Sequence, residues 1–314
     1  MRTLVVHMQS SLDGRIARAD GTFWEPFAWG DVEQGFINDA FRRADTWVMG
    51  RHVYEAVVPW WEAVARGERP DEGYEPSPVD LEFARILVGM ERVAISRTLD
   101  EGPGRTVIRG DVAGALRELK ARPGRDIILS AGPELLEPLI AEPGLVDEYL
   151  IVVHPAVAGE GPRLFGDGGA TLALRLVRSW TFRGGAVVLR YAAGPRVPLD
   201  PSVAPSGTGC VECLASDGGW WLSLRRCAHC GHIGCCDASP ARHAREHAIG
   251  ARHPVARSFE PGDEWAWDYE VEDYIEIPDL APPASRPVDQ ARPGPADRVP
   301  PDWADHLHEQ APRD

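Results

Sequence analysis

No cysteine occurs in the first 209 residues; all six lie between Cys210 and Cys236. Disulfides therefore have no part in the core of the larger portion of the chain. Also missing is any run near the ~20 apolar residues that a membrane-spanning helix requires. The start, MRTLVVHMQSSLDG, has no apolar stretch followed by small residues, so no secretory leader is read and a cytoplasmic location is expected. No segment is basic: Arg and Lys number 22 against 28 Asp and Glu in residues 1–194, seven against 13 in 195–277, and four against seven in 278–314. That balance argues against a duplex-binding surface built on phosphate contacts, and no nucleic-acid or membrane partner is expected. The GxGxxG fingerprint of an ordinary dinucleotide fold is absent, and so is any internal repeat.

What is present divides into two parts. At 314 residues the chain exceeds the usual span of a single domain. Residues 3–10, 46–50, 91–96, 126–130 and 148–157 read as apolar strands, and helical patterns lie between them at 31–44, 111–122 and 133–142. Asp111 is placed to cap the second of these helices, and Pro133 opens the third. Strands alternating with helices predict an α/β domain over 1–193 with a mainly parallel sheet, closed by an antiparallel hairpin at 172–182 and 186–192. The run GPRVPLDPSVAPSGTG, residues 194–209, reads as a linker. Residues 210–277 form a Cys/His/Trp-rich unit. From Pro278 to Asp314, nine of 37 residues are proline and periodicity is lost, which predicts a disordered tail.

Thiols at short spacing beside histidines suit tetrahedral zinc better than disulfides in a chain with no sign of export. The candidate ligands are Cys210, Cys213, Cys227, Cys230, Cys235, Cys236, His229, His232, His243, His247 and His253. Each CxxC sets two sulfurs on one knuckle. His243 and His247, four apart, project from one face of a helix.

The pattern CVEC…WWLSLRRCAHCGHIGCC…HAREHAIGARHP…WAWDY resembles the ubiquitin-protease-type zinc finger. That resemblance implies two structural zinc ions in crossed sets: Cys210, Cys213, Cys235 and His243 for one, and Cys227, Cys230, His247 and His253 for the other. Cys236, His229 and His232 are left over. Neither set keeps an open position for water, so the metal holds a fold and does not activate a nucleophile. The resemblance further implies a peptide pocket walled by Trp221, Trp267 and Tyr269, with the core of a small finger as the equal alternative for these rings. The arginine that faces a terminal carboxylate in that family is missing after Cys235, where Cys236-Asp237 stands. An aspartate there would repel a carboxylate, which argues against a ubiquitin tail and for another peptide or protein partner.

In the first domain three strand ends carry Gly, Ser and Arg: Gly50-Arg51, Ser96-Arg97 and Ser130-Ala131-Gly132. Such residues on the carboxyl edge of a parallel sheet suit a nucleotide lying across it. The segments MRTLVVHMQSSLDGRIA, DTWVMGRHVYE, ERVAISRTL, DIILSAGPELLEPLI and LVDEYLIVVHPAVAGEGPRLF resemble the dihydrofolate reductase-like family that includes the C-terminal reductase domain of riboflavin biosynthesis. The resemblance implies a dihydrofolate-reductase-like fold, mainly parallel with helices on both faces, beside a small zinc-stabilised α+β finger. It implies NADPH held by Gly50, Arg51, Ser96, Arg97, Ser130, Ala131 and Gly132, and a pteridine- or pyrimidine-like (5-amino-6-ribosylaminouracil-type) substrate near Asp13, the candidate catalytic residue, with the proton coming from Asp13, another carboxyl or water. The reaction would be oxidoreduction at a CH–NH, C=N or C=O group, and the family is commonly dimeric. Two departures, Val53 in place of a threonine and the run Ser-Ala-Gly-Pro in place of a Gly-Gly pair, weaken the cofactor site. They keep open the alternative of a non-catalytic adaptor acting through its finger.

Overall fold

The computed structural model describes residues 2–21, 30–102, 104–166, 171–194 and 196–307. The chain forms two compact units that meet in sequence at Pro195 and Arg196.

The larger unit is built on eight strands: β1 (Leu4–Ser11), β2 (Ala44–Gly50), β3 (Glu91–Ile95), β4 (Arg105–Ile108), β5 (Asp126–Ser130), β6 (Glu148–His154), β7 (Leu174–Thr181) and β8 (Val187–Ala193). Their order in the sheet is β4-β3-β2-β5-β1-β6-β8-β7. The six strands from β4 to β6 are parallel, and β8 and β7 add the expected antiparallel hairpin. Both faces of the sheet are buried, so alternate residues of a strand enter different cores. Trp47, Met49 and Ile128 pack beneath α1 (Asp31–Arg42), α2 (Arg51–Ala65) and α3 (Pro78–Val88), through Ile37, Phe41, Val58, Trp61, Phe83 and Leu87. Val48, Ile127 and Leu129 face the other way, toward Leu116 and Leu119 of α4 (Val112–Ala121) and Leu136 and Leu139 of α5 (Pro133–Ile140).

Helix starts follow local chemistry. Asp111 accepts the Gly114 N–H at 2.9 Å and caps α4 as its position in the sequence suggests. Ser77 and Asp80 form a capping box on α3, with Pro78 at the first helical position. Helix α3 and the four-residue edge strand β4 are absent from the sequence-based reading. No helix among the described residues is long and apolar enough to cross a membrane.

The second unit is a five-stranded antiparallel sheet, β10-β9-β11-β12-β13, made of β9 (Leu224–Cys227), β10 (Ile233–Cys235), β11 (Val255–Ser258), β12 (Ala266–Asp268) and β13 (Asp273–Ile275). Helices α6 (Val211–Ala215) and α7 (His243–Gly250) accompany it. Its main core is small: Trp221, Leu224, Ile233 and Phe259 around three cysteines. A core of that size needs other supports.

Two of those supports correct the expected boundaries. Residues 196–209, most of the expected linker 194–209, and residues 278–298 of the tail expected to be disordered are laid against the finger. Asp200 donates to Ala228 and Ser206 to Gly231 through their backbones. The buried Arg226 guanidinium gathers both segments, donating to the carbonyls of Val203, Ala281 and Pro283. Farther along the tail, Arg286 pairs with Glu260 at 2.7 Å, with side chains only 8 % and 3 % exposed. Gly294 exchanges both backbone hydrogen bonds with Trp221, and Arg298 donates to the carbonyls of Cys213 and Ser216. Proline-rich composition predicted disorder, but the polar anchors are arginines meeting backbone carbonyls, which leave no periodic trace.

Two outcomes follow from these packings. Arg286→Ala strands a buried carboxylate and lowers finger stability by roughly 3 kcal/mol in urea titration, whereas the double change Arg286→Met with Glu260→Gln recovers most of it. A single-variant loss below about 0.5 kcal/mol contradicts the pairing. In the larger unit, His7 is buried and donates its Nδ1–H to the Leu150 carbonyl at 3.1 Å, so Nδ1 carries the proton. Burial lowers its pKa to about 4. The folded state stays neutral where the unfolded chain takes up a proton, so stability is complete at pH 7 and falls as pH drops below about 6.5. The loss between pH 7 and 4.5 is roughly 2–3 kcal/mol by the same linkage, and His7→Gln flattens it.

Candidate functional site

In the larger unit, β3, β2, β5 and β1 end side by side on the carboxyl edge. Gly50 lies opposite Ile95, and Met49 opposite Ser130, so Gly50, Ser96 and the run Ser130–Gly132 become neighbours. Both Gly50 and Gly132 immediately precede helices and carry no side-chain cap. Their φ angles, −63° and −73°, are open to any residue. A Cβ at Gly50 would lie no closer than 3.6 Å to its surroundings, and one at Gly132 no closer than 3.8 Å. The fold therefore does not require glycine at either place. What glycine preserves is open backbone beside two helix starts, a cradle that suits an anionic ligand. Helix α5 offers less than α2, because Pro133 has no N–H and Leu135 and Leu136 already donate to the Gly132 carbonyl.

The side chains divide between open and engaged. Ser130 is buried; it accepts from Trp47 Nε1 at 3.0 Å and donates to the His7 carbonyl at 2.8 Å, so its hydroxyl serves the sheet and not a ligand. Ala131 is fully buried, and its methyl points beneath Gly50 instead of into the open edge. Ser96 accepts the N–H groups of Thr98 and Leu99 and so shapes its own loop. Arg51 pairs with Glu55 at 3.0 Å and donates to Thr98 Oγ1 at 2.8 Å, while Arg97 is exposed. Val53 packs partly into the core, which is what the missing hydroxyl was exchanged for. Arg109, not singled out from sequence, braces the Ser96–Leu99 loop by donating to the carbonyls of Arg97 and Leu99.

Asp13 does not behave as a proton donor. Its carboxylate accepts from the Ser11 hydroxyl and from the N–H groups of Ala158 at 3.0 Å and Gly159 at 2.9 Å. The Ser11 bond above all, then the Ala158 N–H, lowers its pKa to about 2, so it is an anion at neutral pH. Its role is to tie the loop after β1 to the loop after β6. Arg15 adds a second tie by donating to the Gly161 carbonyl at 2.6 Å. Between these loops opens a cleft of about 480 Å³, lined by Arg18, Asp20, Val157 and Glu160 among others. His154, at the end of β6, is fully buried against Gln9.

The finger brings together both crossed ligand sets. Cys210, Cys213, Cys235 and His243 form one group, and Cys227, Cys230, His247 and His253 the other, with the ligand atoms of each group within 4.8 Å of one another. Helix α7 begins at His243 and carries His247 one turn later, so a single helix serves both groups. His243 Nδ1 lies 3.3, 3.4 and 3.5 Å from the sulfurs of Cys210, Cys213 and Cys235. Tetrahedral zinc, with bonds of ~2.3 Å to sulfur and ~2.0 Å to nitrogen, sets that separation at about 3.5 Å. In the second group Cys230 Sγ and His247 Nε2 are 3.3 Å apart, and His253 Nδ1 is buried with no hydrogen-bond partner. Burial pushes the Cys227 thiol up to about 12, and its bond to Cys210 pushes Cys213 up to about 12. Such thiols are ionised together at neutral pH only with a cation between them. The residues therefore fit two zinc ions.

The leftover residues are structural. Cys236 is buried against Ser239 Oγ at 3.2 Å. His229 bridges Pro198 and Val255, and His232 stacks on His247 at 4.0 Å while contacting Glu212.

The expected aromatic walls separate. Trp221 is 2 % exposed and belongs to the core, closed in by Gly209 and Gly294, where a Cβ would come within 2.8 and 3.3 Å of the indole. A finger this small needs the ring for its core, so Trp221 is corrected from pocket wall to core residue. Trp267 and Tyr269 remain half-buried on one sheet face. Arg245 lies 5.3 Å over Tyr269 and pairs through two bonds with Asp237 at 3.1 and 3.0 Å. The Asp237 charge is thus already matched, and the repulsion expected from it is corrected. The sequence-based reading passed over Trp265, Tyr274 and Arg225 on this face. The alternation in EWAWDY was the available signal, since Trp265 lies two residues before Trp267.

Residues 2–188 match the family described as "RibD C-terminal domain", and the chain belongs to that family. Residues 210–280 match a second family, "Zn-finger in ubiquitin-hydrolases and other protein". Among curated proteins, the chain is 29 % identical to the uncharacterized protein YyaP of Bacillus subtilis over 191 residues, covering 60 % of this chain and 94 % of YyaP. It is 28 % identical to YwjB of the same organism, covering 60 % of this chain and 97 % of YwjB. Among solved structures, a pyrimidine reductase-like protein of Corynebacterium diphtheriae is similar at 16 % identity and a TM-score of 0.41, covering 62 % of this chain and 92 % of that one.

The metal assignment is checked by elemental analysis of the purified chain, with two zinc ions per polypeptide expected. After dialysis against a mild chelator, Cys235→Ala retains one and Cys236→Ala retains two. Equal zinc in both variants contradicts the assignment.

Proposed function

We propose that the larger unit is an NADPH-dependent reductase of a pteridine- or pyrimidine-like small molecule, and that the finger recruits it to a peptide or protein partner. The observation that carries the reductase reading is the open backbone cradle at Gly50 and Gly132, side by side on the carboxyl edge with Arg51 and Arg97 beside it. Free N–H groups at the start of α2 and the two guanidinium groups would hold phosphate. The bound nicotinamide would supply a hydride to the heterocycle. The protein's own part is positional: the Ser96–Leu99 loop braced by Arg109 and Ser96 fixes one end, and the cleft beside β1 and β6 receives the substrate. Asp13 keeps that cleft's loops together as a permanent anion. The proton that accompanies reduction would come from water or from a cleft carboxyl such as Asp20 or Glu160, since Asp13 is held as a carboxylate by the hydrogen bonds it accepts.

A second reading, the adaptor, draws on Pro133 and Glu134. The first removes a donor from the start of α5, and the second adds an exposed acid in its first turn, where a pyrophosphate would lie. In that case only the finger is active.

Fluorescence titration of the full chain with NADPH and with NADH separates the two. Saturable binding that favours NADPH and weakens at least tenfold in Arg51→Ala is expected. Absence of binding by either nucleotide would hand the larger unit to the adaptor reading.

A further inference from the structure

One aromatic surface of the finger remains without a role. Trp265 and Trp267 lie two residues apart on extended chain and share a face, and Tyr274 stands directly opposite Trp267 across β12 and β13. The Tyr274 ring meets Trp265 edge-on at 5.6 Å and 88°, and Trp267 at 5.1 Å and 80°. Tyr274 is 52 % exposed, with its ring against two indoles and its other side open, the kind of placement in which tyrosine is enriched at interfaces. The Trp267 Nε1 is buried and makes no hydrogen bond, so what the indole presents to a ligand is its π face. Strand β13 is the edge of the sheet.

The segment that carries these rings is acidic, although Asp268 in it is met by Arg196 and Asp279 by Arg257. Residues 263–279 contain eight acidic side chains and no Lys or Arg. Glu264, Glu272, Asp273 and Glu276 are exposed, and Glu272 and Glu276 lie two residues to either side of Tyr274. Two arginines reach the face from other elements, and both are engaged. Arg245 is held by Asp237 over Tyr269, and Arg225 lies 4.4 Å over the Trp265 ring. The Arg225 contact is informative in itself, since it seats a guanidinium on this cluster within the chain. Negative ring faces bordered by carboxylates attract a second cation at the exposed ring.

We propose that the Trp265–Trp267–Tyr274 face binds a Lys or Arg side chain on an extended basic segment of a protein partner, with Tyr274 as the ring that receives it. The proposal rests on reading the finger as a peptide-binding module, and it names a partner chemistry opposite to a free carboxylate. The rings fix where the cation sits, and the acidic border speeds and selects its approach.

The test uses the full-length, zinc-loaded protein and three fluorescein-labelled ten-residue peptides. One is rich in Lys and Arg, one has the same sequence with acetyl-lysine and citrulline, and one ends in a free Gly-Gly carboxylate. Fluorescence anisotropy is expected to show the basic peptide binding at least tenfold more tightly than its neutralised analogue. Tyr274→Ala weakens it at least tenfold, Tyr274→Phe does not, and the pair Glu272→Gln with Glu276→Gln weakens it a few-fold and reduces its salt dependence. Zinc content is measured for each variant, which separates lost binding from lost fold. Equal affinity for the basic and neutralised peptides, or an unchanged Tyr274→Ala, overturns the proposal. Preference for the Gly-Gly peptide, lost in Arg225→Ala, overturns it as well while leaving the peptide-module reading standing. No binding of any peptide overturns both.

Discussion

A parallel sheet sends the carboxyl ends of its strands to one edge, and in this chain that constraint gathers the residues of the proposed cofactor cradle. Six parallel strands in the order β4-β3-β2-β5-β1-β6 bring together residues as far apart in sequence as Gly50, Ser96 and Gly132. Two helices start at that edge, and α2 offers it more N–H groups than α5, whose first turn lacks one at Pro133 and has two paired with the Gly132 carbonyl. Because both faces of the sheet are sealed by helices, the edge is where backbone stays open. The loops tied by Asp13 and Arg15 flank the same edge beyond β1, with a cleft between them.

The finger solves a different problem. Its apolar core of four large side chains does not by itself offset the entropy of ordering some hundred residues. Two crossed ligand sets tie α6, α7 and the sheet, and arginines then fasten the flanking chain. Arg226 holds linker and tail together through carbonyls, and Arg286 buries its charge only because Glu260 is there to meet it. The functional finger is therefore larger than the cysteine-bearing segment, extending from Arg196 to the neighbourhood of Arg298.

Much of this was legible beforehand, for identifiable reasons. Parallel strands such as β5 and β6 carry continuous apolar runs, and α4 announces itself through Asp111 and its 3.6-residue period. The zinc ligands were legible because thiolate spacing is a chemical requirement. What escaped were elements held by tertiary context: β4 is only four residues long, and α3 carries its signal in a capping box. Site roles were the least legible. Whether Ser130 faces a ligand or Trp47, whether Trp221 is wall or core, and whether Asp13 can give a proton all depend on neighbours distant in sequence. Arg225 and Tyr274 were missed because their partners, Trp265 just before β12 and Trp267 on it, lie outside their own strands.

The central claim is that the β2, β3 and β5 ends form a dinucleotide cradle. Hydrogen exchange of the full chain with and without saturating NADPH tests it most directly. The account predicts slowed exchange at residues 51–54, 96–99 and 134–136, with the finger unchanged. Exchange that is unaltered at all three segments, or slowed only elsewhere, would contradict it.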